Sequence, residues 1–163
     1  MKKFELFFCF LLAISYTQSE VIDGIDVDEL YDKLINFAKG MAKTNEYKCS
    51  NILTTHRTAI YPHVVDIIKN LKNPEKLEEI FDTSNIKLWN VDGLRDNCSI
   101  DLIKDFLANI TQPVRIGNLA DNIISNAEPI SKLLNEYLEN TDKDGKLIII
   151  GKIVRIVTGI SLN

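Results

Sequence analysis

Apolar residues return every three or four positions along most of this chain, the spacing that lays one apolar face along an α-helix. A first segment carries Leu30, Leu34, Ile35, Phe37, Ala38 and Met41. Asp26 or Asp28 is placed to cap its start, and Lys39 and Lys43 sit near its end, where cations suit the helix dipole. A second segment covers residues 47–71, with Ile52, Ile60, Val64, Ile67, Ile68 and Leu71 on one stripe. Pro62 falls inside it. Proline lacks the backbone donor and crowds the carbonyl four residues back, so a kink or a division into two helices is expected there. Asn73-Pro74 opens a short helix containing Leu77, Ile80 and Phe81. Residues 82–96 have no clear period. They hold Trp89, the one tryptophan, and the turn pair Asp92-Gly93, and read as a loop pinned by Cys98.

The helical period resumes with Ile100, Leu102, Ile103, Phe106, Leu107 and Ile110. Gln112-Pro113 breaks it, and Val114, Ile116, Leu119, Ile123 and Ile124 make the next helix. Glu128-Pro129 starts another, with Ile130, Leu133, Leu134, Tyr137 and Leu138. Residues 142–145, Asp-Lys-Asp-Gly, read as a turn. In the last element Ile148-Ile149-Ile150 has strand propensity. Ile149, Ile153, Ile156, Val157 and Ile160 nevertheless recur at helical intervals with Lys152 and Arg155 between them, which predicts a helix. The pattern gives an all-α fold: a single-domain bundle of five to seven helices, with no internal repeat.

The beginning of the chain follows a different grammar. Lys2 and Lys3 precede an apolar run from Phe4 to Ile14, broken by Glu5, and Ser15-Tyr16-Thr17-Gln18-Ser19 closes it. That is the form of a secretory signal peptide. The run is too short to span a bilayer, which takes about 20 apolar residues. Residues 1–19 are therefore expected to be removed after Ser19, leaving residues 20–163 as one secreted helical domain with no transmembrane span. The cut takes away Lys2, Lys3 and Glu5 and moves the formal charge from −4 to −5. No basic run exceeds two residues. An acidic chain of this kind has no electrostatic means of gripping nucleic acid or an anionic membrane.

Cys9 leaves with the leader, so Cys49 and Cys98 remain. Two cysteines in an oxidising compartment are expected to pair with each other, the alternatives being a buried thiol beside a free one or a bridge between chains. Closing so long a loop stabilises by about 4 kcal/mol in the chain-entropy picture.

Candidate chemistry is sparse. Residues 140–147, Asn-Thr-Asp-Lys-Asp-Gly-Lys-Leu, resemble the first eight positions of an EF-hand calcium loop, with Asn140, Asp142 and Asp144 as oxygen ligands and Gly145 at the sharp turn. The twelfth position, which should supply a bidentate glutamate, is Gly151, so the expected site is at most weak; an ordinary Asp-Gly turn between helices is the competing reading. His56 and His63 are seven apart, which on one helix separates them by roughly 10 Å, too far to share a zinc ion. Ser50, Thr54, Thr55 and Thr58 surround His56 without a nucleophile elbow, and Glu78-Glu79 and Asp26-Asp28 read as solvated helix starts. No phosphate-binding glycine loop is present, and neither catalysis nor a cofactor is expected. Asn97-Cys98-Ser99 and Asn109-Ile110-Thr111 are glycosylation sequons, and Asn109 is the better acceptor because Cys98 has a competing role in the bridge. The apolar helix faces could alternatively enclose a hydrophobic ligand.

Phe37-Ala38-Lys39-Gly40 ahead of Cys49, a further cysteine at Cys98, and Gly151-Lys152-Ile153-Val154 near the end together resemble a group of small secreted proteins found as multigene sets in ciliated protozoa. The heavy use of Ile, Asn and Lys fits an AT-rich coding genome. The resemblance implies a secreted, one-disulfide helical protein and carries over no catalytic or binding residue. The expectation is a secreted, non-enzymatic interaction protein with a protein or surface partner. A carrier of a lipid or other hydrophobic ligand and a weak calcium-binding granule protein are the alternatives.

Overall fold

The computed structural model describes Gly24, residues 26–70, Asn73, Glu75, Lys76, Glu79 and residues 91–163. The expected leader, Trp89 and most of the short helix after Pro74 lie outside the described residues. Within them the chain forms eight helices: α1 (Val27–Met41), α2 (Lys48–Thr55), α3 (Arg57–Lys69), α4 (Leu94–Asn97), α5 (Ile100–Asn109), α6 (Pro113–Ser125), α7 (Ala127–Glu139) and α8 (Lys143–Thr158). The fold is all-α. A single parallel bridge between Ala42 and Leu162 is the one β-type pairing among the described residues.

Helix α1 starts where an acid can cap it. Asp26 Oδ1 accepts from the backbone N–H groups of Asp28, at 2.9 Å, and Glu29, at 3.2 Å. The helix buries Tyr31, Ile35, Ala38 and Met41 and crosses α8 at two glycines. A Cβ on Gly40 would lie 2.9 Å from Gly151 Cα and overlap the carbonyl of Ile148; one on Gly151 would overlap the carbonyl of Phe37. The helices touch backbone to backbone here, and only hydrogen fits between them.

Cys49 lies in the first turn of α2 and Cys98 follows α4; their sulfurs are bonded across a Cα separation of 4.8 Å. Both are buried. Residues 160–163 lace this region shut. Leu162 N donates to Met41 O (3.0 Å), Lys43 N to Leu162 O (2.7 Å), Cys49 N to Asn163 O (2.6 Å) and Asn163 N to Asn97 O (2.8 Å). Ser99 Oγ adds a bond to Ser161 O at 2.8 Å. Gly159, at φ 70°, ends α8 in the left-handed conformation that lets the chain turn back toward the bridge.

Three boundaries differ from the sequence reading. The division of residues 47–71 falls at His56, which ends α2 and starts α3, while Pro62 lies inside α3. The carbonyl that Pro62 leaves without a donor belongs to Thr58, which is exposed, so water can satisfy it. Residues 142–145 are not a free turn, since α8 begins at Lys143 with Asp142 as its cap. The aperiodic stretch hides α4, a single turn of helix that buries Leu94 beside the disulfide. Seven helices of eight residues or more, plus this turn, form the bundle.

Candidate functional site

The residues with chemical potential are held in structural roles. Ser50 Oγ donates to Tyr47 O (2.9 Å) and Thr54 Oγ1 to Ser50 O (2.8 Å), so these hydroxyls serve the α2 backbone rather than His56. His56 sits at the α2–α3 joint and His63 within α3. Among the described residues no group of three His, Cys, Asp or Glu side chains is placed to hold a metal ion.

Arg57 makes the densest polar cluster. It donates to Asp32 Oδ1 at 2.6 Å and Asp28 Oδ1 at 2.9 Å, and its guanidinium lies 4.7 Å from the centre of the Tyr31 ring. The bonds to Asp32 and Asp28 push the arginine pKa upward. Tyr31 is fully buried and donates to Leu53 O at 2.7 Å. Burial pushes its hydroxyl up to about 12, with Arg57 pulling the other way. The cluster fastens α1 to α2 and α3, and every member is already engaged.

The calcium-loop residues behave as a helix cap. Asp142 Oδ2 accepts from Gly145 N at 2.7 Å and its Oδ1 from Asp144 N at 3.3 Å, while Asn140 Oδ1 accepts from Asp142 N at 2.8 Å. The Asn140 and Asp142 oxygens that would face a cation face backbone N–H groups, and Asp144 lies in the first turn of α8. Of the two sequons, Asn97 is tied in by its amide to Gly93 O (2.8 Å) and by its carbonyl to Asn163 N (2.8 Å). Asn109 closes α5 beside an exposed Thr111, its Nδ2 bonded to Asp105 at 2.9 Å.

A cleft of about 230 Å³ opens between α5, α6 and the end of α8. Phe106 and Leu119 supply its apolar lining, and Arg115, Asn118, Asp121, Asn122 and Thr158 its polar remainder. Arg115 is spoken for by Asp105 at 2.6 Å and stacks on Phe106; Asn122 Nδ2 donates to Val157 O at 3.0 Å. The cleft is small and mostly polar, unlike the apolar enclosures that hold drug-sized ligands.

What stands out is an outward apolar surface on α6 and α7. Neither helix has a buried residue. Each sets one half-buried face on the bundle: Arg115, Leu119 and Asn122 from α6, and Ile130, Leu133 and Tyr137 from α7. Beside that face each helix keeps a second apolar row in solvent. On α6 the row is Ile116, Ala120, Ile123 and Ile124; on α7 it is Ala127, Leu134 and Leu138. Ile124 is 73% exposed and Leu138 75%. Leu102 on α5 and Val114 are exposed as well. Periodicity picks out most of these residues as apolar helix positions but, taken alone, assigns them to a core. The signal that points outward is the width of the apolar arc, broader than one packing contact needs.

Among the described residues no helix is long and apolar enough to cross a membrane. No family model, no curated protein and no solved structure matches this chain.

Proposed function

We propose that this is a secreted, non-enzymatic interaction protein that works through the exposed apolar rows of α6 and α7. The observation that carries this reading is the distribution of exposed large apolar side chains. Leu102, Val114, Ile116, Ile123, Ile124, Leu134 and Leu138 all come from α5–α7, whereas the rest of the described chain contributes Leu34 alone. Contiguous apolar surface of this kind marks contact sites in soluble proteins. A hydrophobic-ligand carrier would turn its apolar surface inward around a cavity, and the cleft between α5 and α6 offers little such lining. A calcium role finds less support, because Asp142 already commits its carboxylate to the α8 cap.

Secretion is supported by the leader-like start of the chain and by the buried Cys49–Cys98 bridge, which belongs in an oxidising compartment. Export from cells that make the full chain should yield a product beginning at Glu20, two hydrogens lighter than the reduced form and carrying glycan at Asn109. The interaction itself is tested by a photo-crosslinker at position 124 on intact cells, with one at position 66 on α3 as the control. A discrete adduct from position 124 alone is expected. Equal labelling from both positions, or a free monomer throughout, would contradict the proposal.

A further inference from the structure

We propose that the occupant of the α6–α7 surface is a cationic amphipathic helix from a protein partner, an inference that rests on these rows being the working surface. Ile116, Ala120, Ile123 and Ile124 follow one another at helical spacing along α6, and Ala127, Leu134 and Leu138 do so along α7 beyond the joint at Asn126. No charged residue interrupts either row. Such rows suit the i, i+3, i+4, i+7 anchors of an amphipathic helix laid along them.

The charge around the rows selects among occupants. Asp121, Glu128 and Glu139 lie beside the rows, are exposed and have no cation within ion-pair distance among the described residues, while Glu136, two positions from both Leu134 and Leu138, falls on the opposite side of α7. Elsewhere Glu29, Asp28, Asp32 and Glu46 have such partners, and Asp66, Asp92 and Asp96, which do not, have no large exposed apolar side chain among the described residues of their own helix or loop. Of the two bases in α6 and α7, Arg115 is paired with Asp105, which leaves Lys132 against Asp121, Glu128 and Glu139 beside the rows. A second copy of the chain docked here would bring the same acidic rim against itself, which is unfavourable. An anionic membrane would be repelled for the same reason. A helix with leucine-like anchors and flanking lysines or arginines meets both the apolar rows and the acidic rim.

The test uses the mature protein and two labelled peptides of leucine at helical spacing, one with lysine and one with glutamate at the remaining positions. The lysine peptide should bind at least about tenfold more tightly, a difference of about 1.4 kcal/mol, and the preference should shrink at high salt. Combining Asp121→Asn, Glu128→Gln and Glu139→Gln should abolish the preference. The equal-charge control Asp66→Asn, Asp92→Asn and Asp96→Asn should keep it. Ile124→Glu with Leu138→Glu should weaken both peptides. Equal binding of the two peptides, lost in that last variant, would overturn the cationic occupant and leave the working surface standing. Failure of both peptides to bind, or a preference unaffected by the rim substitutions, would overturn the inference. A concentration-dependent dimer abolished by Ile124→Glu and Leu138→Glu would do the same by naming a second copy as the occupant.

Discussion

Helices α1 and α7 are amphipathic to the same degree, yet α1 buries Tyr31, Ile35, Ala38, Gly40 and Met41 while α7 buries nothing. Around α1 the chain is fastened many ways: the Gly40–Gly151 crossing with α8, the disulfide, the Arg57 ion pairs and the strap of residues 160–163. The α6–α7 region packs one face on α8, with Arg115 reaching Asp105 and Phe106 of α5, and keeps a second apolar row in solvent. The fastenings are concentrated in the first region, and the exposed apolar side chains in the second. Amphipathicity alone says which face of a helix is apolar, not whether the molecule covers it.

That division orders the expected effects. Replacing both cysteines, as Cys49→Ser with Cys98→Ser, should lower unfolding free energy by about 4 kcal/mol, read from urea denaturation. A loss near zero would mean that the strap and not the bridge holds this end together. Gly40→Ala should lose about 3 kcal/mol, because the added methyl meets backbone that cannot give way. Tyr31→Phe leaves the Leu53 carbonyl without its donor and should lose about 1–3 kcal/mol.

Alkali probes the same tyrosine. The Tyr31 hydroxyl is raised from 10 to about 12 in the fold, so its protonated form is favoured there. The stability it supplies is complete below pH 10 and is lost as pH rises through about 12. Burial raises the Tyr61 hydroxyl as well, so absorbance of tyrosinate against pH should show more than one late component, and the one near 12 should be absent in Tyr31→Phe; an unchanged titration curve would deny that assignment.

The second region should answer in the opposite direction. Gly117 lies inside α6, and a Cβ added to it would meet nothing within 4 Å, so Gly117→Ala should add about 0.5–1 kcal/mol. The contrast with Gly40→Ala is the sharpest single comparison of the two regions. A loss at Gly117 would reveal a hidden contact. Smallest of all, Leu138→Ala should change stability by about 0.5 kcal/mol or less, because little of that side chain leaves water on folding.

Much of the fold is legible in local chemistry. The Asp26 cap, Pro113 as the first residue of α6, Pro129 in the first turn of α7 and the helical reading of the Ile-rich end all follow from rules that act within a few residues. The Cys49–Cys98 pairing follows from counting. Features that depend on distant chain are not legible. The break falls at His56 instead of Pro62, next to Arg57 with its pairs to α1, and the left-handed Tyr47 and Ser99 that precede α2 and α5 carry no glycine to announce them. Gly40 and Gly151 look unremarkable until two helices cross there. The Asp142–Gly145 run points toward calcium because helix caps and calcium loops draw on the same residues. The outward rows of α6 and α7 pass for core in the sequence for a comparable reason: burial is a property of neighbours, and periodicity records none.

The most direct test is the urea unfolding curve of a variant carrying Ile116→Glu, Ile124→Glu and Leu138→Glu together. If these side chains form a working surface, the variant keeps its helical signal and its unfolding free energy within about 1 kcal/mol of the parent. A loss of several kcal/mol would show that the rows belong to the core of the folded protein, and would contradict the account.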